Sequence, residues 1–295
     1  MVSKEIFNRI VIATGLLVFL LAGLNWVHFL SKQNLLLYNT SANWLIILVA
    51  LEGVIFSYLR EDKNPIEKKG KILRHPIGSF IDHWTHATGF VVLAVSGILL
   101  GFRSYLLSNF PINYLFIPRL VQTNEITTFL FNLHFLGILF FVFAISYHIS
   151  YHLKKKSNKI LPKKGDPSKA IKETLHLLGL SEIPKEDKYE AVERLEYLAW
   201  SLIVIILIIS GLIKVSSHIW FSGPTPPTWT NIMLYWSNLM HDTFALIGIA
   251  LLIVHIITAA IIPSSWPFIK SMATGWMPKK EVKQKHEKWY EKIEE

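Results

Sequence analysis

The 295-residue chain contains no cysteine. That absence removes thiolate-held iron–sulfur clusters, haem attached through a CxxCH motif, and any disulfide framework. A redox cofactor must then sit on histidine or methionine, or be held without covalent attachment. Charge is scarce as well: 17% of residues are Asp, Glu, Lys or Arg, against about 25% in a soluble domain. With 52% hydrophobic residues and a mean hydropathy of +0.38, the chain lacks the polar surface needed to face water all round. No low-complexity segment, internal repeat or nucleotide fingerprint is present.

What is present is long apolar sequence. Six segments stand out, roughly Arg9–Leu30, Trp44–Leu59, Phe80–Phe102, Thr127–His152, Leu195–Val215 and Leu234–Ile262. About 20 apolar residues cross the ~30 Å hydrocarbon core as a helix, so the expected fold class is all-α integral membrane with six transmembrane helices. The first segment follows Lys4 but is too long for a signal-peptide core and lacks an A-x-A pattern, so an uncleaved helix is expected.

Net charge is +9, and its placement speaks against nucleic acid. Arg60, Lys63, Lys68, Lys69, Lys71 and Arg74 fill one connection, Lys154, Lys155, Lys156, Lys159, Lys163 and Lys164 another, and Lys279, Lys280, Lys283 and Lys285 the tail. The opposite side carries only Lys32, Arg103, Arg119 and Lys214. The positive-inside rule therefore predicts a multi-pass protein of the inner (cytoplasmic) membrane with both termini cytoplasmic. The outer loops Phe110–Thr123 and His218–Thr230 are rich in proline and aromatics, and Ser168–Leu180 reads as an amphipathic surface stretch.

Histidine inside a span is expensive and marks function by default. The sixth span holds His241 and His255, 14 residues apart. At about 100° and 1.5 Å per residue they share one helix face, about 21 Å apart. One helix can thus offer one ligand to each of two haems near opposite membrane faces. The fourth span holds His134 and, again 14 residues on, His148, with His152 one turn further; the third opens with His83 and His86. By depth, His134 and His241 lie at one level, and His83, His148 and His255 at the other. Two bis-His haems need four of these five, and spacing alone leaves His83 and His148 both open. His28, His75, His176, His218 and His286 read as interfacial or hydrogen-bonded, and His86 and His152 as carbonyl caps or haem-propionate contacts. Zinc needs converging ligands; His83 with His86 can begin such a site, but no third partner is evident.

The segments FIDHWTHATGFVVLAVSGI, NLHFLGILFFVF, LMHDTFALIGIALLIVHIITA and IKSMATGWMPKKEVKQKHEKWYEKI resemble the cytochrome b (gamma) subunits of membrane-bound formate dehydrogenases. These belong to a wider family with the cytochrome b subunits of nickel–iron hydrogenases and thiosulfate reductases. The resemblance runs from Arg74 to the C-terminus. It implies two haem b groups, the inner on His83 and His255 and the outer on His134 and His241, with His148 an alternate inner ligand. It implies a four-helix di-haem domain over 74–278 with a cytoplasmic loop at 153–193 and a tail at 279–295; the two-helix membrane extension at 1–60 is a departure from the family pattern.

The same resemblance implies a membrane-anchoring subunit that carries electrons to quinone, usually menaquinone, near the inner haem. The family's quinone loop, Tyr-Asn-x-Gly-Gln-Lys, corresponds here to Tyr189-Glu190-Ala191-Val192-Glu193-Arg194, which keeps only the Tyr and the basic residue. Glu190 or Glu193 reads either as a proton donor to reduced quinone or as a solvated loop carboxylate. The implied partners are an iron–sulfur subunit and a catalytic oxidoreductase subunit, or a multihaem cytochrome c. Hydrogenase and sulfur-compound reductase partners, and flow from quinol outward, use the same parts. A haem-free scaffold or transporter is the rival of a different class. Glu52, an acid inside the second span, is expected to face protein or a partner.

Overall fold

None of the six apolar segments carries an internal proline, so nothing breaks the backbone ladder across the width of a bilayer. In the computed structural model they form α1 (Lys4–Leu30), α2 (Thr40–Leu59), α3 (Ile77–Gly101), α4 (Thr123–Lys155), α6 (Ala191–Trp220) and α7 (Thr228–Ile256). All six are long and apolar enough to cross a membrane. The structure describes residues 4–30, 35–60, 67–101, 123–156, 158–177, 179–182, 184–220 and 228–294. The remaining elements are β1 (Glu67–Lys68), β2 (Lys71–Leu73), α5 (Asp166–Leu177), α8 (Trp266–Thr274), β3 (Trp276–Pro278), α9 (Lys279–Lys285) and α10 (Glu287–Glu294).

Several boundaries differ from expectation, each for a local reason. The surface stretch expected from Ser168 begins at Asp166, whose carboxylate accepts from the Lys163 backbone N–H. The span expected from Leu195 begins at Ala191, because Glu173 accepts the Ala191 and Val192 N–H groups and Glu193 that of Glu190. Those are N–H groups that a helix start leaves without intrahelical partners. The outer loop expected from His218 to Thr230 is shorter, since α6 runs to Trp220 and α7 opens at Thr228. Residues 110–122 of the other outer loop lie outside the described residues.

Two hairpins form the centre, α3 along α4 and α6 along α7, while α2 lies along the opposite side of α4. Gly53 makes that last contact possible. A Cβ there would sit 2.6 Å from the Phe143 carbonyl oxygen and against the Ser146 hydroxyl, so only hydrogen fits.

Where α3 and α6 begin, a small cap closes the bundle. β1, β2 and β3 form an antiparallel sheet in which Ile72 pairs with Met277. Ile72, Met277, Val282, Trp289 and Tyr290 make its buried core. Arg74 is buried and stacks 4.6 Å over Phe268. It donates to the Glu193 carboxylate at 3.0 Å and to the Lys188 carbonyl at 3.1 Å. Gly275, with φ 88°, takes the left-handed turn that ends α8 and accepts the Arg74 and His75 N–H groups on its carbonyl. Arg9 of α1 reaches into the same turn and donates to the His75 carbonyl at 2.5 Å, tying the N-terminal helix to the cap.

Candidate functional site

The four histidines that the resemblance implies as ligands lie in two pairs. His83 of α3 and His255 of α7 have ring centroids 6.4 Å apart with planes at 45°. His134 of α4 and His241 of α7 have centroids 6.5 Å apart with planes at 61°. Between the two levels, Phe90 meets Trp200 edge-on at 4.8 Å and lies 6.4 Å from Phe141. Gly248, seven residues from each α7 histidine, leaves the room that Phe90 occupies.

Side-chain partners fix the proton on three of the four rings. Ser96 donates its hydroxyl hydrogen to the Val92 carbonyl at 2.7 Å, so its oxygen accepts His134 Nδ1–H at 2.9 Å. Ser210 repeats the arrangement, donating to the Ile206 carbonyl at 2.7 Å and accepting His241 Nδ1–H at 3.0 Å. His255 Nδ1–H donates to the Glu196 carboxylate at 2.7 Å. With Nδ1 protonated, each Nε2 keeps a free lone pair, the state a metal-ligating imidazole needs. Gly97 and Gly211, next to the two serines, lie under the imidazole edges: a Cβ would come 3.8 Å from His134 Cε1 and 3.5 Å from His241 Cε1.

His148 is engaged differently. Its Nδ1–H donates to Asp82 at 2.8 Å, and its Nε2 accepts the Tyr197 hydroxyl at 3.1 Å. Both ring nitrogens are thus taken. Asp82 also receives His86, 3.2 Å away, and His152, 3.7 Å away. His86 caps a carbonyl as expected, with its Nδ1–H on the Asp82 main-chain oxygen at 2.8 Å.

The loop residues separate into two kinds. Arg194 is fully buried, pairing with Asp166 at 2.6 Å and Glu186 at 3.0 Å and donating to the Tyr189 carbonyl. Those contacts, like the pairing of Glu193 with Arg74, hold α5, α6 and the cap together. Tyr189 and Glu190 are half-buried at the start of α6. Burial pushes the Tyr189 hydroxyl up to about 12. Burial, with the Glu193 and Glu173 charges behind it, pushes the Glu190 carboxyl up to about 8. Glu190 is thereby biased toward its protonated form.

The family model described as prokaryotic cytochrome b561 matches residues 74–275. The chain belongs to the prokaryotic cytochrome b561 family. Among curated relatives, the formate dehydrogenase cytochrome b556(fdo) subunit of Escherichia coli K12 is 22% identical over 229 residues, covering 77% of this chain and 96% of the relative. The same-named subunits of strains O6:H1 and O157:H7 match equally. Family and spans together make this b561 chain a multi-pass cytochrome b of a respiratory oxidoreductase in the inner membrane.

Haem, the group the family name implies, fits the residues present. A metal–imidazole bond is about 2.0 Å and the ring centroid lies about 1.2 Å behind the nitrogen, so two imidazoles on one iron have centroids about 6.4 Å apart. Both facing pairs have that separation. Sequence reasoning missed the groups that set the tautomers: Ser96, Ser210 and Glu196. Two signals carried them, the Ser-Gly dipeptide repeated in α3 and α6 and an acid in the second turn of a span.

Proposed function

We propose that this b561 chain holds two haem b groups, one between His83 and His255 and one between His134 and His241, and links an extracytoplasmic redox partner to the quinone pool. The observation that carries the reading is the pair of facing imidazole pairs, with centroids 6.4 and 6.5 Å apart. When bound, the haems supply one-electron carriers at the two levels. The chain's own residues do the rest. Ser96, Ser210 and Glu196 hold the ring tautomers, and the Phe90 layer keeps the levels apart.

His83, rather than His148, serves the inner level in this reading, because His83 faces His255 while His148 turns to Asp82 and Tyr197. Quinone, menaquinone by the family resemblance, is reduced at the cytoplasmic end. Tyr189 and Glu190 border it, and Glu190 releases the proton that reduced quinone takes up. Glu193 and Arg194 act through the fold of the same loop. The relatives are formate dehydrogenase subunits by name, which favours a formate dehydrogenase-type catalytic subunit with an iron–sulfur subunit as the electron donor. Residues 74–278 form the di-haem unit, 279–295 the cytoplasmic tail, and 1–60 an added two-helix unit on the outside of α4. On that unit Glu52 is exposed at mid-span, as an acid awaiting a partner's donor group would be.

The test is haem stoichiometry and spectrum in the purified protein. The expected result is two haem b per chain, with His83→Ala or His255→Ala losing one, His134→Ala or His241→Ala losing the other, and His148→Ala keeping both. A reduced-minus-oxidised spectrum without a b-type band overturns the cytochrome reading. Loss of haem in His148→Ala but not in His83→Ala overturns the inner ligand set.

A further inference from the structure

The cluster around Asp82 belongs to neither histidine pair. One donor atom each of Asp82, His148 and His152 lie within 4.8 Å of one another, with His148 Nδ1 2.8 Å and His152 Nε2 3.7 Å from Asp82 Oδ2. Asp82 comes from the second turn of α3, and the two histidines from the last turns of α4. His148 and His152 are spaced i, i+4, which puts both rings on one helix face, the spacing by which a single helix offers two imidazoles to a zinc ion.

We propose that Asp82, His148 and His152 form a site for a late first-row divalent cation of the Zn²⁺ type, clamping α3 to α4 at the cytoplasmic end of the bundle. Two imidazoles and a carboxylate are a donor set such ions accept, and three protein ligands leave the fourth tetrahedral position to water. Asp82 is partly buried; its second oxygen, Oδ1, is shielded from solvent and accepts no hydrogen bond, because the His86 Nδ1–H 3.2 Å away is spent on the Asp82 main-chain carbonyl. The carboxylate thus has unused lone pairs in a place where that is costly.

The surrounding groups suit the ion. On binding, the His148 proton sits on Nε2 and donates to the Tyr197 oxygen 3.1 Å away, while Nδ1 ligates. That is the outer hydrogen bond that orients a ligating imidazole. His86, 3.2 Å from Asp82 Oδ1, steadies the carboxylate from the other side. The lysines that follow on α4 turn away: Lys154 donates to the Tyr58 and Arg60 carbonyls, and Lys155 to the Tyr151 hydroxyl. No cation from α4 therefore competes for Asp82. The Asp82–His148 contact, 2.8 Å in the metal-free arrangement, opens by a few tenths of an ångström, since donors about 2.0–2.1 Å from a tetrahedral ion stand about 3.3 Å apart.

The site rests on the reading that His83 and not His148 holds the inner haem, and its test uses the haem-loaded protein in detergent. After chelator treatment and dialysis, Zn²⁺ alone is titrated and bound metal counted against haem iron. The expected result is one saturable Zn²⁺ per chain, with affinity lowered about tenfold or more in His152→Ala and in Asp82→Asn while haem content stays unchanged. Cu²⁺ in the same position shows electron-resonance couplings to two imidazole nitrogens. If His152→Ala fails to assemble, His152→Gln, which keeps side-chain bulk and polarity, is measured instead. The absence of saturable binding, or equal affinity in wild type and variants, overturns the proposal and leaves the cluster as hydrogen bonding alone.

Discussion

A buried imidazole is defined by what sits on its second nitrogen. At the outer level that is a serine hydroxyl, at the inner level the Glu196 carboxylate. A carboxylate accepts a stronger hydrogen bond than a hydroxyl and makes the imidazole a better donor to iron. If each pair holds a haem as proposed, the two levels of this b561 chain should therefore differ in potential, with the His83–His255 level lowered by its carboxylate. Replacing Glu196 by Gln keeps the bond but removes the charge, a difference of about 1 kcal/mol, which for a one-electron couple is about 40 mV. Potentiometric titration of the b-band in Glu196→Gln should show the inner haem shifted upward by about that amount and the outer one unmoved. Equal shifts in both, or none, would mean that Glu196 does not tune the inner level. The α7 histidines were legible in the sequence, because a polar ring in an apolar span is conspicuous and a 14-residue interval puts both rings on one helix face; the choice of His83 over His148 came from the family resemblance. The serines were not. Ser96 and Ser210 bond carbonyls four residues back, as helical serines in membranes commonly do, and only the fold reveals the second bond. His148 shows the reverse limit: its spacing from His134 matches that of the α7 pair, yet the fold turns it onto Asp82.

Among the elements, the cap was least legible. Its sheet has strands of two or three residues with exposed or mixed faces, and β2 joins β3 across more than two hundred residues of chain. No local pattern announces such a pairing, although the long spans on either side follow directly from hydropathy. The cap's interior carries a titratable weak point. His286 is wholly buried, with its Nδ1–H on the Asp187 carbonyl at 2.7 Å and its ring edge-on to Trp289. Burial, and then the Arg74 charge, push it down to about 4 from an ordinary 6.5. Between those values the unfolded tail binds a proton that the docked tail does not, so docking weakens as pH falls from about 6.5 toward 4. A shift of that size bounds the loss at about 3 kcal/mol. Limited proteolysis of the tail should accelerate across that window, and His286→Gln should flatten the dependence even if it lowers stability throughout. A tail equally protected at pH 7 and pH 4.5 would contradict the argument.

For the whole molecule, direction is the property that decides what electron transfer accomplishes. If quinone is reduced at the cap end as proposed, and that end faces the cytoplasm, protons are taken up from that side and the transfer makes the interior more negative; reversed, the same transfer runs charge the other way. The charge asymmetry argues for the first arrangement. Lys154, Lys155, Lys156, Lys159, Lys163 and Lys164 and the tail lysines all lie at the end where α3 and α6 begin, and Lys214 stands near the other end of α6. The fold adds a check the sequence lacked: Lys279 of the tail pairs with Glu67 of β1 at 2.8 Å, so the tail and the first basic connection must share a side. Six spans then put the N-terminus on that side too. The feature that excludes so much chemistry here, the missing cysteine, makes the measurement clean, because an introduced thiol is the only one present. In intact spheroplasts a membrane-impermeant maleimide should label Thr228→Cys and spare Lys164→Cys and Lys288→Cys, and permeabilisation should expose the latter two. Labelling of Lys164→Cys in intact spheroplasts would invert the molecule. It would place the Glu190 end outside and make Glu190 return its proton across the opposite face.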